Sequence, residues 1–142
     1  MTAAVHAGTA TTRSTRRTWF LASFQFAYVV WFGVCVWVAL ARAAHFAGHV
    51  YIPYESDPYT ASVDIWTGWA SWFRGPMMTT VVLQPFVELV LIGVSGWTLA
   101  QKRTRSNKTV FSVLLISTVL VVGCLVLGML PAGTSISTWI LD

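Results

Sequence analysis

Residues 19–40, 77–99 and 110–130 are three apolar runs that contain no charged side chain except Glu88. A bilayer's hydrocarbon core is crossed by roughly 20 helical residues at about 1.5 Å of rise each, so every run is long enough to span it. A chain of 142 residues has no shell of polar elements in which to bury three helices that are apolar all round. With 56% hydrophobic and 10% charged residues and a mean hydropathy of +0.66, the composition excludes an ordinary soluble domain. The expected fold is all-α and integral to a membrane, with three transmembrane helices.

Lys and Arg collect on the cytoplasmic side of membrane proteins. Arg13, Arg16 and Arg17 precede the first run, and Lys102, Arg103, Arg105 and Lys108 fill the connection between the second and third. With three crossings those clusters share one face, which predicts a cytoplasmic N-terminus and a C-terminus outside. The far face holds Arg42, Arg74, Glu55, Asp57, Asp64 and Asp142. The net charge of +4 therefore reads as a topology signal with some attraction to anionic lipid, and not as nucleic-acid binding. Ala39-Leu40-Ala41 has the small-x-small look of a signal-peptide cleavage site, but the apolar run before it is too long for a signal peptide.

Residues 1–18 form a basic tail of Ala, Thr, Gly, Ser and Arg, too polar to order itself. Residues 19–142 form a single membrane domain with spans at about 19–44, 77–99 and 110–130. Arg42 is expected to snorkel to the interface, with the first helix running on towards Gly48. In the outer loop, Asp57-Pro58 reads as a helix start and Gly75-Pro76 as a stop. Between them Val63, Trp66, Trp69, Trp72 and Phe73 recur at helical spacing. The expectation is a short aromatic helix over about 58–74, lying in the interface where indole rings settle, as an anchor or as a lid. The C-terminal piece, with Trp139 and Ile140, is expected to fold back onto the same interface.

Glu88 sits near the middle of the second span, where an ionised side chain costs at least about 2.5 kcal/mol. Thr80, Gln84, Glu88 and Ser95 fall along one side of that helix as a polar stripe, and Pro85 removes a backbone hydrogen bond beside it, which predicts a kink. Depth counting places Gln25 and Tyr28 of the first span, with Ser117 and Thr118 of the third, near the level of Glu88. None of these neutralises a carboxylate. Glu88 is therefore a protonated helix contact, a partner for a basic residue on another chain, or a proton, ion or quinone-type site.

His45 and His49 lie four apart at the end of the first helix, a spacing that suits a metal or haem if Glu55, Asp57 or Asp64 adds a ligand. The competing reading is two hydrated interfacial imidazoles. Cys35 and Cys124 fall inside spans at similar depth and read as small apolar side chains, with a disulfide as the alternative. No nucleophile elbow, His-Glu-x-x-His, Cys-x-x-Cys or phosphate loop occurs, which argues against a freestanding enzyme.

Gly93, Gly96 and Ala100 in the second span, with Gly123 and Gly128 in the third, allow close helix packing. The leading expectation is a small accessory or structural subunit of a larger membrane complex, respiratory or transport in type, that binds neighbouring subunits or copies of itself and membrane lipid. A homo-oligomeric channel or transporter using Glu88 is the alternative, and a haem- or metal-binding anchor using His45 and His49 the third. Three-span anchors of respiratory dehydrogenases are similar in size and can carry haem-ligating histidines, but their motifs are not matched here. Seven Arg against two Lys and the wealth of Ala, Val and Thr suggest a GC-rich bacterial proteome and hence the bacterial cytoplasmic membrane.

Overall fold

The computed structural model describes residues 2–56, 58–60 and 63–142, without the side chains of residues 2–15 and of Arg103. The chain forms α1 (Thr2–Ala47), α2 (Ser71–Ala100), α3 (Lys102–Ser106), α4 (Lys108–Met129) and α5 (Pro131–Leu141), with a 3₁₀ turn at Gly68–Ala70. No strand occurs among the described residues. Three helical segments, Arg16–Ala47, Gly68–Ala100 and Lys108–Met129, are long and apolar enough to cross a membrane. The all-α membrane fold follows from these three.

The helix boundaries have local causes. α1 stops at Ala47 because Gly48 takes a left-handed φ of 77° while its N–H still reaches the Ala44 carbonyl at 2.9 Å, a conformation glycine adopts without steric cost. At the basic end, the Arg105 Nε donates to the Leu99 carbonyl at 3.1 Å and helps close α2. Asn107 caps α4 by accepting from the Val110 N–H at 3.3 Å. Pro131 opens α5, where its missing N–H leaves no helical bond unmade.

Two expectations about these boundaries need correction. The basic tail is not separate from the first span, because α1 is helical from Thr2. A helix already nucleated by the span needs no new nucleus to extend, although the Thr, Gly and Ser of residues 2–17 add little helical preference of their own. The outer-loop helix does not begin near residue 58, and Gly75-Pro76 does not end it. Residues 58–60 and 63–67 are turns and extended chain, and helix begins only at Gly68 and continues through Pro76 and Pro85 as α2. Pro76 falls early in α2, where its missing N–H costs the one backbone bond to the Trp72 carbonyl; the Thr80 hydroxyl separately donates to the Pro76 carbonyl at 2.7 Å. The proposed cap at Asp57 lies outside the described residues.

α4 makes close approaches to both α1 and α2, which approach each other less and are joined mainly by long side chains. Towards the aromatic end a second core forms. Cys35, Val38, Ala39 and Ala43 of α1 pack with Trp66, Ala70, Met77, Trp139 and Ile140. α5 therefore folds back, as its aromatic content suggested, and buries Trp139 and Ile140. The Trp139 Nε1 donates to the Thr60 hydroxyl at 2.9 Å, tying the loop to α5.

Arg42 does not snorkel to water. It is 6% exposed, donates from Nε to the Ile65 carbonyl at 2.9 Å and from Nη2 to the Thr67 hydroxyl at 3.2 Å, and stacks over the Phe46 and Trp69 rings. A guanidinium that donates to a loop carbonyl and a loop hydroxyl and packs on two aromatic rings is a latch. Arg42→Met keeps the aliphatic stem and removes the forked donor. We expect it to loosen the loop by about 1.5 kcal/mol, which would speed chymotrypsin cleavage at Tyr54 or Tyr59 roughly tenfold. An unchanged cleavage rate would rule out the latch.

Candidate functional site: a buried polar core between the spans

The polar side chains of the three spans meet inside the bundle in three tiers. Nearest the basic end, the Gln25 Nε2 donates to the Ser95 hydroxyl at 2.8 Å. The Ser117 Oγ lies 2.7 Å from Gln25 Oε1 and 3.0 Å from the Leu114 carbonyl, so its single proton serves one of them at a time. The middle tier is Glu88, whose Oε1 accepts from the Tyr28 hydroxyl at 2.9 Å and from the Gln84 Nε2 at 3.3 Å. In the third tier the Trp31 Nε1 donates to the Thr80 hydroxyl at 2.8 Å.

Sequence spacing produces this arrangement. Gln25, Tyr28 and Trp31 recur every three residues on α1 and meet Ser95, Glu88 and Thr80 in turn along the polar edge of α2, with Gln84 bonded within that edge to Glu88. Gln25, Glu88, Ser95 and Ser117 are all fully buried. In hydrocarbon an unpaired polar group has no water to turn to, so inward pairing is the stable arrangement.

Depth counting alone groups Gln25, Tyr28, Ser117 and Thr118 about Glu88, and the structure separates them. Tyr28 contacts Glu88, whereas Gln25 and Ser117 close the tier at Ser95, seven residues and about 10 Å of helix away. Thr118 takes no part, because its hydroxyl donates to the Leu114 carbonyl of its own helix at 2.7 Å. Trp31 was missed by the sequence reading. Its signal was the three-residue step beyond Tyr28, hidden because an apolar ring in a span first reads as lipid-facing.

The second carboxyl oxygen, Glu88 Oε2, is buried with no hydrogen-bond partner among the described residues. Glu88 also helps line an open-sided recess of about 300 Å³ between α2, α4 and α5. Gly128 of α4 faces Gln84 so closely that a Cβ there would meet the Gln84 amide. The middle tier is thus confined on the α4 side as well. Comparison with protein-family models, curated proteins and solved structures gave no match. The site is therefore read from its own geometry.

Other candidate residues lie elsewhere. His45 and His49 do not share a helical face, because α1 ends between them at Ala47 and Gly48 reverses the backbone. His49 instead contacts the Ala47 carbonyl at 3.1 Å and stacks with Tyr51 and Tyr59. Asp64, a supposed third ligand, accepts from the Trp66 N–H at 2.9 Å. Among the described residues no three His, Cys, Asp or Glu gather as a metal site, and Asp57 lies outside them. Cys35 and Cys124 are free and buried.

The aromatic anchors divide. Trp72 is 84% and Trp69 50% exposed, whereas Trp66 is 8% exposed and belongs to the core. Phe73 packs partly against that core. Trp66 differs because it precedes the helix, so helical spacing does not set its direction. Arg16, Arg17, Lys102, Arg105 and Lys108 are exposed, and the side chains of Arg13 and Arg103 lie outside the described residues.

Proposed function

We propose that this chain is a small accessory subunit of a larger membrane complex, respiratory or transport in type, in the bacterial cytoplasmic membrane. In this reading its basic end faces the cytoplasm and its aromatic end faces outward. The observation that carries it is the inward closure of the polar tiers. Gln25, Glu88, Ser95 and Ser117 are fully buried along with Met77, Leu114 and Val121, which turns the polar groups of the spans inward and leaves an outer surface that is largely apolar. On that surface Gly33, Gly93, Gly96 and Gly123 have open space where a Cβ would stand, a surface to which helices of neighbouring subunits can approach closely.

Gentle extraction from the native membrane, followed by native mass measurement and protein identification, tests the proposal. Recovery at a defined stoichiometry with other membrane proteins is the expected result. Recovery as a lone monomer or homo-oligomer would reject it.

A second reading is favoured by Glu88 Oε2, which has no partner among the described residues. In it, copies of the chain assemble and Glu88 carries a proton or binds a cation. Glu88→Gln should then abolish flux in reconstituted vesicles without altering assembly. Flux that survives the substitution would eliminate this reading.

A further inference from the structure

A second recess, of about 210 Å³, lies at the aromatic end. Its lining includes Asp64 and Trp66 of the loop, Arg74 and Met78 of α2, and Trp139 and Asp142 at the end of α5. Asp64, Arg74 and Asp142 are exposed and open to a ligand. Asp64 accepts the Trp66 N–H at Oδ1, and Asp142 accepts the Ser56 N–H at Oδ2 over 3.4 Å, so each carboxylate keeps an oxygen open. Arg74 makes no hydrogen bond or ion pair among the described residues. One cation and two anions thus border a single cavity without neutralising one another.

The depth of the recess decides what competes to fill it. Trp69 and Trp72 are exposed, and exposed indoles settle in the headgroup layer of a bilayer. Arg74 lies two residues beyond Trp72, about 3 Å of helical rise, so the recess sits among lipid headgroups and not in bulk water. Met78 lies one turn nearer the hydrocarbon, and Val81 and Pro85 continue that face of α2 at helical spacing. An amphiphile whose head enters the recess therefore has an apolar path for its chain.

Charge order selects the head. A phosphodiester suits Arg74, whose forked N–H donors match phosphate oxygens. The two carboxylates suit a cation and accept hydrogen bonds without donating any, so an ammonium with N–H donors serves them better than a quaternary amine. The indoles form no cage for a quaternary amine, because Trp66 and Trp139 are 8% and 3% exposed. A purely anionic head satisfies Arg74 but meets both carboxylates with like charge.

We infer that this recess holds the head of a phospholipid bearing a primary ammonium, of the phosphatidylethanolamine class, with its phosphodiester on Arg74 and its ammonium on Asp64 and Asp142. The site requires only that the aromatic end lies at a membrane interface, and is independent of which side that is and of any complex. The full chain in maltoside micelles is titrated with phosphatidylethanolamine, phosphatidylcholine or phosphatidylglycerol of identical acyl chains, and native mass spectrometry reads the bound lipid.

One phosphatidylethanolamine should be retained roughly tenfold more tightly than either other lipid, the factor expected from a charge-assisted hydrogen bond. The double variant Asp64→Asn with Asp142→Asn keeps acceptors for the Trp66 and Ser56 N–H groups and should erase the preference over phosphatidylcholine. Arg74→Gln should instead weaken retention of both zwitterionic lipids roughly tenfold and leave their order unchanged. Soluble glycerophosphoethanolamine at the same concentration should not displace the lipid. Equal retention of the three lipids, retention of none, or a preference that survives the double variant would overturn the inference. Displacement by the soluble head would overturn it too, by assigning the recess to a free zwitterion.

Discussion

Glu88→Leu should destabilise the bundle by roughly 2–3 kcal/mol, and Glu88→Gln by less than about 1 kcal/mol. Replacing a buried polar group by a hydrocarbon of similar size is often harmless when its partners are replaced too. Here the partners stay behind. Leucine leaves the Tyr28 hydroxyl and the Gln84 amide, which now donate at 2.9 and 3.3 Å, without an acceptor in hydrocarbon. Glutamine keeps one acceptor oxygen for both donors and places its own amide where Oε2 now stands. Interhelical hydrogen bonds in membranes average about 0.6 kcal/mol and reach about 1.7 kcal/mol, so the expected loss comes chiefly from orphaned donors and not from the bonds alone. The double variant Tyr28→Phe with Glu88→Leu should therefore recover part of the loss. Unfolding in mixed detergent, followed by tryptophan emission, measures all three. A Glu88→Leu protein as stable as the starting chain would show that the middle tier does not hold the helices together.

The fold was legible where the physics is one-dimensional. Span length and the absence of charge depend on local composition, and the three crossings follow from residues 19–40, 77–99 and 110–130 without knowledge of neighbours. The polar edge of α2 was legible for the same reason, since Thr80, Gln84, Glu88 and Ser95 are set by the helical repeat. Partners across the bundle were not, because depth along antiparallel helices is known only to about a turn without their relative shifts. That uncertainty separates the Gln25 tier from the Glu88 tier.

The loop misled the reading by a different route. Gly75-Pro76 reads as a stop signal, but the proline lies in the second turn of a helix that begins at Ser71, where it removes one backbone bond, and the helix continues. The pattern at 63–73 mixed Trp66, set by loop packing, with Trp69 and Trp72, set by helix. His45 and His49 failed as a pair because helical spacing has meaning only while the helix lasts, and Gly48 ends it.

Gly133→Ala should be the most damaging single-methyl change in the protein, with a loss of about 3 kcal/mol. The prediction runs against propensity, because alanine is favoured over glycine within a helix by about 1 kcal/mol. A Cβ at Gly133 would strike the Leu127 carbonyl oxygen and lie 2.9 Å from the Gly128 Cα and 3.0 Å from the Gly128 carbonyl oxygen. All three are backbone atoms of α4, and none has a rotamer to escape into, so the first turn of α5 has to move away. That displacement draws Trp139 and Ile140, which are 3% and 2% exposed, from the core at the aromatic end and breaks the bond to Thr60.

Gly128→Ala supplies the contrast. Its new methyl meets the side chain of Gln84, which can swing aside at the expense of its bond to Glu88, for a loss of about 1 kcal/mol. Unfolding of both variants in detergent should rank Gly133→Ala well below Gly128→Ala, and Gln84→Ala should relieve only the second. The reverse ranking would mean that α5 is loosely docked and that the bundle is held by its polar tiers alone.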